Sequence, residues 1–142
     1  MQVENILQSK GTAVHTVRRI ATVAEAVALL NTHRIGAVVV VNAGGEVAGI
    51  LSERDIVRKM GDDPTSFLKT PVSEVMTSSV VTCRRTDTLA TVMSKMTEFR
   101  IRHIPIVEEN MLAGLVSIGD VVKWQIAEVE QEADALRQYI AS

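Results

Sequence analysis

Two short stretches of the sequence, GILSERD and GLVSIGD, end in the same pair of polar residues. Ser52 and Asp55 close the first stretch, and Ser117 and Asp120 close the second. A serine followed three residues later by an acid, directly after an apolar run, is the capping-box pattern of a helix start. A carboxylate also has two acceptor oxygens and no donor, which suits the neighbouring hydroxyls of a ribose. The pattern therefore predicts two helix starts and leaves open whether each aspartate only caps or also binds a sugar.

Basic residues lie near these positions. Arg54 stands in the first turn of a predicted helix, where a cation opposes the helix dipole, so local helix physics does not explain it. A solvated side chain, an ion pair with a neighbouring carboxylate and a phosphate contact are the alternatives. Arg102 and His103 precede a proline at a strand start, and they fit either a surface charge cluster or a phosphate contact that depends on pH near about 6.5. Because Gly119 replaces Arg54 in the second stretch, we expect two unequal sites.

Composition narrows the class of protein. The chain has 142 residues, of which 46% are hydrophobic, so it is able to bury a core. A net charge of -2 offers no broad basic field, and we expect neither a nucleic acid nor a membrane as partner. Cys83 is the single cysteine, which excludes an intramolecular disulfide. With no apolar run of about 18 residues, we expect a soluble cytoplasmic protein.

Motifs of catalysis are missing from the sequence. No set of His, Cys, Asp and Glu has metal-ligand spacing, and no nucleophile elbow, phosphate-binding glycine loop or dinucleotide fingerprint occurs. Cys83 has no activating neighbours beyond two arginines, and we interpret it as a core residue. We therefore expect no enzyme, no metal and no required cofactor.

The two stretches belong to an internal repeat. Thr22 and Thr88 are equivalent helix N-caps, and Arg34 and Arg100 recur at the same spacing. In each copy the hydrophobic periodicity follows the order strand, helix, strand, strand, helix. The predicted strands cover residues 13–17, 37–41 and 46–51 in the first copy and residues 80–83, 103–107 and 112–116 in the second. The run AVVVV in the first copy lacks alternation, which predicts a strand buried on both faces.

Other segments surround the two copies. Residues 61–71 have the composition of a linker, and short apolar helices are predicted at 3–7 and 72–76. Because a copy of about 50 residues is too small to bury its sheet alone, we expect the copies to close on each other with a groove between them. At the C-terminus, apolar residues continue in alternating steps of four and three: Val122, Ile126, Val129, Ala133, Leu136 and Ile140. This stripe packs either on its own body or, as we favour, on a second subunit.

With the repeat and its Gly-h-h-Ser-x-x-Asp ends, where h is apolar, the sequence resembles tandem cystathionine-β-synthase (CBS) domain proteins, whose paired arrangement is the Bateman module. SERDIVRK and RIRHIPIV are similar to the small stand-alone bacterial members. The resemblance implies an α/β fold of the α+β type, in which two βαββα motifs pair about a pseudo-two-fold axis. Residues 1–70 then hold the first motif with an N-terminal helix and a linker, and residues 71–142 hold the second with an extended C-terminal helix. A homodimer is also implied.

The resemblance implies adenosine-containing ligands, AMP, ADP or ATP and less often NAD or S-adenosylmethionine, in clefts between the motifs. Position by position, it implies ribose contacts at Asp55, Asp120, Ser52 and Ser117, phosphate contacts at Arg54, Arg102 and His103, and an adenine pocket of Thr16, Thr82, Ile104 and Pro105. The first copy departs from this pattern, because Gly36 stands where the second has Arg102. A regulatory module that senses adenine nucleotides and acts through a partner or a dimer is the leading hypothesis. The alternative is an interaction scaffold whose aspartates only cap helices.

Overall fold

The first repeat has the predicted order of elements, and the second has the same order without the opening strand. The structure is a computed structural model that describes residues 1–142. The first repeat consists of β1 (Thr16–Arg18), α2 (Val23–His33), β2 (Ala37–Val41), β3 (Val47–Ser52) and α3 (Glu53–Lys59). The second consists of α5 (Leu89–Phe99), β4 (His103–Glu108), β5 (Met111–Ser117) and α6 (Ile118–Ala141). Outside these units lie α1 (Val3–Lys10), α4 (Pro64–Leu68) and a 3-10 turn at Val72–Glu74.

Each repeat is built around an antiparallel strand pair. In the first, β2 pairs antiparallel with β3 and parallel with β1, and in the second β4 pairs antiparallel with β5. All five residues of β2 are buried, which confirms the prediction from the run AVVVV. Thr22 and Thr88 each accept a hydrogen bond from the backbone of the following helix, so both predicted N-caps are confirmed as well.

One predicted strand has different bounds and another is absent. The opening strand of the first repeat starts at Thr16 rather than at residue 13, and residues 80–83 form no strand. Only Cys83 makes a parallel bridge there, to Ile106, because the chain turns at once where the Asp87 carboxylate accepts a hydrogen bond from the Arg84 N–H. The predicted linker contains the helix α4, which begins where the Asp63 carboxylate accepts a hydrogen bond from the Ser66 N–H.

The segments that precede the repeats pack on the opposite repeat. Val3, Ile6 and Leu7 of α1 join the core of the second repeat, while Val72 and Val75 join the core of the first. Burying a side chain of this size stabilises the fold by about 1.5–3 kcal/mol. The exchange therefore ties the two repeats together, which spacing in the sequence did not predict.

Backbone hydrogen bonds fix this exchange in the same way at both places. The Val3 N–H donates to the Asp87 carbonyl at 2.9 Å, and the Val72 N–H donates to the Ala21 carbonyl at 2.7 Å. Each bond joins a crossing segment to the residue just before a helix N-cap of the other repeat. The pseudo-two-fold relation therefore includes the crossing segments.

The glycine that opens both repeated stretches makes room for these segments. A Cβ on Gly114 would lie 2.7 Å from Leu7 Cδ2, and a Cβ on Gly49 would lie 2.9 Å from the Thr77 carbonyl oxygen and would also contact the Met76 sulfur. A side chain at Gly49 would press on the backbone of the crossing segment, whereas one at Gly114 would displace the Leu7 side chain. Close approach thus requires glycine in both copies.

We predict that Gly49→Ala lowers the free energy of unfolding by about 1–3 kcal/mol, because the new methyl group overlaps backbone that has little freedom to move. Gly119→Ala is the matched control. Its Cβ would meet nothing closer than 3.6 Å, in the first turn of a helix, so we expect it to be neutral or stabilising by up to about 1 kcal/mol. Urea unfolding followed by circular dichroism measures both, and equal stability of the two variants would contradict the packing argument.

Beyond the body, α6 keeps its apolar stripe uncovered. Val122, Ile126, Val129, Leu136 and Ile140 are between 50% and 74% exposed. Of the two alternatives for the stripe, packing on its own body is therefore excluded for these five residues. None of the helices combines the length and apolar character needed to cross a lipid bilayer.

Candidate functional site

A cavity of about 360 Å³ lies between the two repeats, where the sequence predicted a groove. This volume is within the range of small-molecule sites. We call it the Asp55 cavity. Its lining comes from the end of β3 and the start of α3, from the connector at 77–81, and from the turn between α5 and β4. The lining residues are Gly36, Ile50, Ser52, Glu53, Arg54, Asp55, Arg58, Thr77, Ser79, Val80, Val81, Phe99, Arg100, Ile101, Arg102 and His103.

Asp55 both caps α3 and lines this cavity. Its Oδ2 accepts hydrogen bonds from the Ser52 backbone N–H at 2.9 Å and from the Ser52 hydroxyl at 3.0 Å. The Ser52 oxygen in turn accepts from the Asp55 N–H at 3.3 Å, which completes a capping box. No hydrogen bond reaches Oδ1. Capping therefore fixes the carboxylate and leaves one oxygen as an acceptor at the cavity.

Four arginines surround the same cavity and are all exposed: Arg54, Arg58, Arg100 and Arg102. None of them takes part in an ion pair within the chain. The ion pair considered for Arg54 is thus absent, even though Glu53 and Asp55 are its neighbours. With His103 neutral, four guanidinium groups face two carboxylates around the cavity, so the lining has a positive excess suited to an anion.

The local fold positions Arg100 and Arg102 at the cavity. Arg100 ends α5 in the left-handed region, at φ 53 and ψ 48, and Arg34 ends α2 with the same angles. The sharp turn after each helix leads directly into the following strand. In the second repeat this turn sends Arg100 and Arg102 toward the first repeat.

His103 packs across the boundary between the repeats. Its ring lies against Gly36, where a Cβ would be 3.1 Å from the His103 Cε1. Gly36, which stands where the second copy has Arg102, therefore makes room for the His103 imidazole of that copy. Burial lowers the pKa of His103 below its usual value near 6.5. The carboxylates of Glu53 and Asp120 oppose this effect, whereas Lys10 and Arg102 reinforce it, and the pH dependence expected near 6.5 moves to lower pH.

Asp120, the counterpart of Asp55, has a different neighbour. It caps α6 in a capping box with Ser117, as Asp55 does with Ser52. In addition, the Lys10 Nζ donates a hydrogen bond to Asp120 Oδ2 at 2.7 Å. Burial alone would raise the pKa of Asp120, but the hydrogen bonds from Lys10 and Ser117 outweigh it and lower the pKa. Neither Asp120 nor Ser117 lines the Asp55 cavity.

None of the residues assigned to an adenine pocket lines this cavity. Ile104 is fully buried in the core of the second repeat, and Pro105 is buried beside it. Thr16 lies on β1 in register with Val39, and the Thr82 carbonyl accepts a hydrogen bond from Lys95 at 2.8 Å. The apolar lining of the Asp55 cavity consists instead of Ile50, Val80, Val81, Phe99 and Ile101.

Of the other predicted residues, Ser52, Asp55, Arg54, Arg102 and His103 are brought together at the cavity. The sequence interpretation missed Arg58, although it lies one helical turn after Arg54 and shares its face. It also left Arg100 and Phe99 without a role. The contact of Lys10 with Asp120 had no signal in the sequence, since it joins opposite ends of the chain.

The lowered pKa of His103 predicts a pH effect on stability. Below about pH 6.5 the unfolded chain binds this proton more readily than the folded chain, so stability falls as the pH drops. His103→Gln should therefore lose less stability than the wild type between pH 7.5 and 5.5, and His33→Gln, an exposed histidine outside the cavity, is the control. Urea unfolding at several pH values measures the difference. Parallel curves for His103→Gln and the wild type would contradict the lowered pKa.

Comparison with known proteins places this geometry in a family. The CBS domain family matches residues 6–62 and 72–127. The CBS domain-containing protein YhcV of Bacillus subtilis is 36% identical over 119 residues, which are 82% of this chain and 81% of that protein. The mitochondrial CBS domain-containing protein CBSX3 of Arabidopsis thaliana is 38% identical over 123 residues, which are 84% of this chain but only 60% of that relative.

Solved structures agree with these matches. A CBS-domain containing protein from Agrobacterium tumefaciens superimposes with a TM-score of 0.84 at 42% identity, over 88% of this chain and 99% of that one. A CBS domain pair crystallised with 5′-methylthioadenosine and S-adenosyl-L-methionine gives a TM-score of 0.79 at 23% identity, over 90% of this chain and 98% of that one, a likeness of fold. The resemblance seen in the sequence and the fold class it implied are thereby confirmed. With both repeats matched, the chain belongs to the CBS domain family and carries a pair of CBS domains.

Proposed function

We propose that this CBS pair is a regulatory module that binds an adenine nucleotide, AMP, ADP or ATP, in the Asp55 cavity. One observation carries the proposal: a fixed carboxylate with a free oxygen lies in a cavity between the repeats, beside four arginines that have no partner in the chain. A ribose hydroxyl donates to the carboxylate, and phosphate oxygens accept from the arginines. Each of these charged hydrogen bonds contributes about 1.5–3 kcal/mol.

The lining also separates the candidate ligands. Val80, Val81 and Phe99 supply apolar surface for a base, which every adenosine compound shares. S-adenosylmethionine carries no phosphate and has a sulfonium cation, so four arginines favour a phosphorylated ligand over it. NAD retains phosphates but also needs room for a second nucleoside. We therefore rank AMP, ADP and ATP ahead of NAD and S-adenosylmethionine.

The location of the cavity supports a regulatory role. Because its lining comes from both repeats, a bound ligand contacts both and biases their relative orientation. A CBS domain pair of the same fold holds adenosine-containing ligands, so the fold accepts this class of compound. We infer binding rather than catalysis; the single thiol, Cys83, is buried and its pKa is raised mainly by that burial, so it is not available as a nucleophile. Incubation with ATP should therefore yield no product.

We predict that AMP, ADP or ATP raises the unfolding temperature, since ligand at one hundred times its dissociation constant stabilises by about 2.7 kcal/mol. Asp55→Asn should weaken binding of the same nucleotide by roughly 10- to 150-fold, the loss of one charged hydrogen bond. Arg54→Met should weaken nucleotide binding but leave adenosine binding unchanged. Differential scanning calorimetry and titration calorimetry measure these effects.

Two substitutions outside the cavity serve as controls. Asp63→Asn changes a helix-capping aspartate of α4, and Arg84→Met removes an exposed arginine that does not line the cavity. Both should bind nucleotide as the wild type does. A wild-type protein that no adenine nucleotide stabilises, or a loss of affinity as large in Asp63→Asn as in Asp55→Asn, contradicts the proposal.

The exposed stripe of α6 favours a second proposal, assembly with a second copy of the chain. In heptad terms Ile126, Ala133 and Ile140 occupy a positions, and Val122, Val129 and Leu136 occupy d positions. Ile126 and Ile140 at a and Leu136 at d match the preference of two-stranded coiled coils for β-branched residues at a and leucine at d, whereas Ala133 and the two valines do not. In a parallel pair, Glu132 at a g position faces Arg137 at the following e position of the other copy, an attractive pair. The scaffold alternative uses the same surface for a different protein.

We predict a homodimer that depends on this stripe. Leu136→Lys should shift the mass measured by light scattering to that of one chain, 15.5 kDa, because it places two ammonium groups in the seam. Ile20→Lys is the matched control, since Ile20 is 87% exposed and lies outside α6. A monomeric wild type, or a dimer that survives Leu136→Lys, would rule out this seam.

A further inference from the structure

The two repeats differ in the groups that surround their aspartates, Asp55 and Asp120. At Asp55, the neighbouring strand carbonyl of Ile50 accepts a backbone hydrogen bond from Thr77 at 2.9 Å, and no cation touches the carboxylate. At Asp120, the equivalent carbonyl of Leu115 accepts from the Lys10 ammonium at 2.9 Å. In the second repeat the Lys10 side chain thus donates the hydrogen bond that the Thr77 backbone donates in the first.

The Lys10 ammonium also binds the carboxylate itself. Its 2.7 Å contact with Asp120 Oδ2 is a charge-assisted hydrogen bond, and the Asp120 side chain is only 23% exposed. A ligand hydroxyl that approaches Asp120 must therefore displace the ammonium or bind a carboxylate whose charge is already neutralised.

Two of the four cavity arginines, Arg54 and Arg102, have no charged counterpart near Asp120, whereas Arg58 and Arg100 correspond to Lys123 and Arg34. Gly119 stands where the first repeat has Arg54, and Gly36 stands where the second has Arg102. The apolar wall formed by Val81 and Phe99 is replaced by His15 and His33, whose rings stack with centroids 3.6 Å apart. A phosphorylated ligand therefore finds fewer partners beside Asp120 than in the Asp55 cavity.

We propose that the Lys10 ammonium occupies the position at Asp120 that a ribose would take. Lys10 thereby limits each chain to one nucleotide, which binds at Asp55. This inference rests on the proposed function for the ligand class, but the contact itself does not. Lys10 ends α1, the segment that crosses to the second repeat, so the same exchange that joins the repeats delivers the ammonium. Lys10 thereby determines which of two related sites is open.

Titration calorimetry with AMP and with adenosine tests the proposal. Wild type should bind one AMP per chain, and Asp120→Asn should keep that stoichiometry. Asp55→Asn should bind weakly, and adding Lys10→Met should restore binding of AMP or adenosine by at least about tenfold, the value of one charged hydrogen bond. Lys10→Arg in the same background keeps the cation and should restore nothing, and Lys69→Met is the control for loss of an exposed lysine.

Two AMP molecules per wild-type chain, with one lost in Asp120→Asn, would overturn the proposal and leave the proposed function intact. Equal binding by Asp55→Asn with and without Lys10→Met would overturn it as well. If the wild type binds no nucleotide, the proposed function fails. The contact between Lys10 and Asp120 is then tested by an experiment that needs no ligand. Competitive acetylation should modify Lys10 more slowly than Lys69 and Lys123, and Asp120→Asn should reduce that protection, leaving only the hydrogen bond to the Leu115 carbonyl. Equal rates in the wild type would overturn the proposal.

Discussion

The exchange of two short apolar segments is the constraint on which the rest of the structure depends. A repeat of one helix face and two or three strands is too small to cover its own core. Val3, Ile6 and Leu7 close the second core, and Val72 and Val75 close the first. The repeats are thereby held face to face, because the core of each contains side chains from the segment that precedes the other. The cavity between them exists because that exchange fixes their separation.

The same constraint explains the glycine that opens both repeated stretches. Leu7 lies directly on Gly114, and the connector at Met76 and Thr77 lies directly on Gly49. The strands β3 and β5 therefore have two roles. The part around the glycine packs against a crossing segment, and the end of the strand leads directly into a helix. Sequence similarity between the stretches reflects this double use.

Unequal sites arise on this symmetric frame through a few side chains. Both aspartates form capping boxes, each with the serine three residues before it. What differs is their surroundings: arginines without partners at Asp55, and Lys10 at Asp120. His103 lies between them, close enough for its pKa to be affected by Glu53 on one side and by Asp120 on the other. The pseudo-two-fold symmetry thus fixes the positions of the two aspartates. Differences between the residues around them determine the charge and contacts of each carboxylate.

Local patterns in the sequence predicted the elements and the caps, because strand burial, helix starts and turns depend on neighbours in the chain. Ser52, Thr22 and Thr88 are examples. The exchange was not predictable, since an apolar helix buries equally well on either repeat. Ile104 was assigned to a ligand pocket by resemblance, yet its side chain is completely buried in the core. Lys10 reaches Asp120 only in the folded chain, and no spacing rule indicates such a contact.

We propose above that a nucleotide binds between the repeats at Asp55. A crystal structure of the protein with saturating ADP tests it most directly. We predict ribose hydroxyls within hydrogen-bond distance of Asp55 Oδ1 and phosphates among Arg54, Arg100 and Arg102, with Lys10 still on Asp120. Density for ADP at Asp120 or outside the cavity, with the arginines unoccupied, would contradict it.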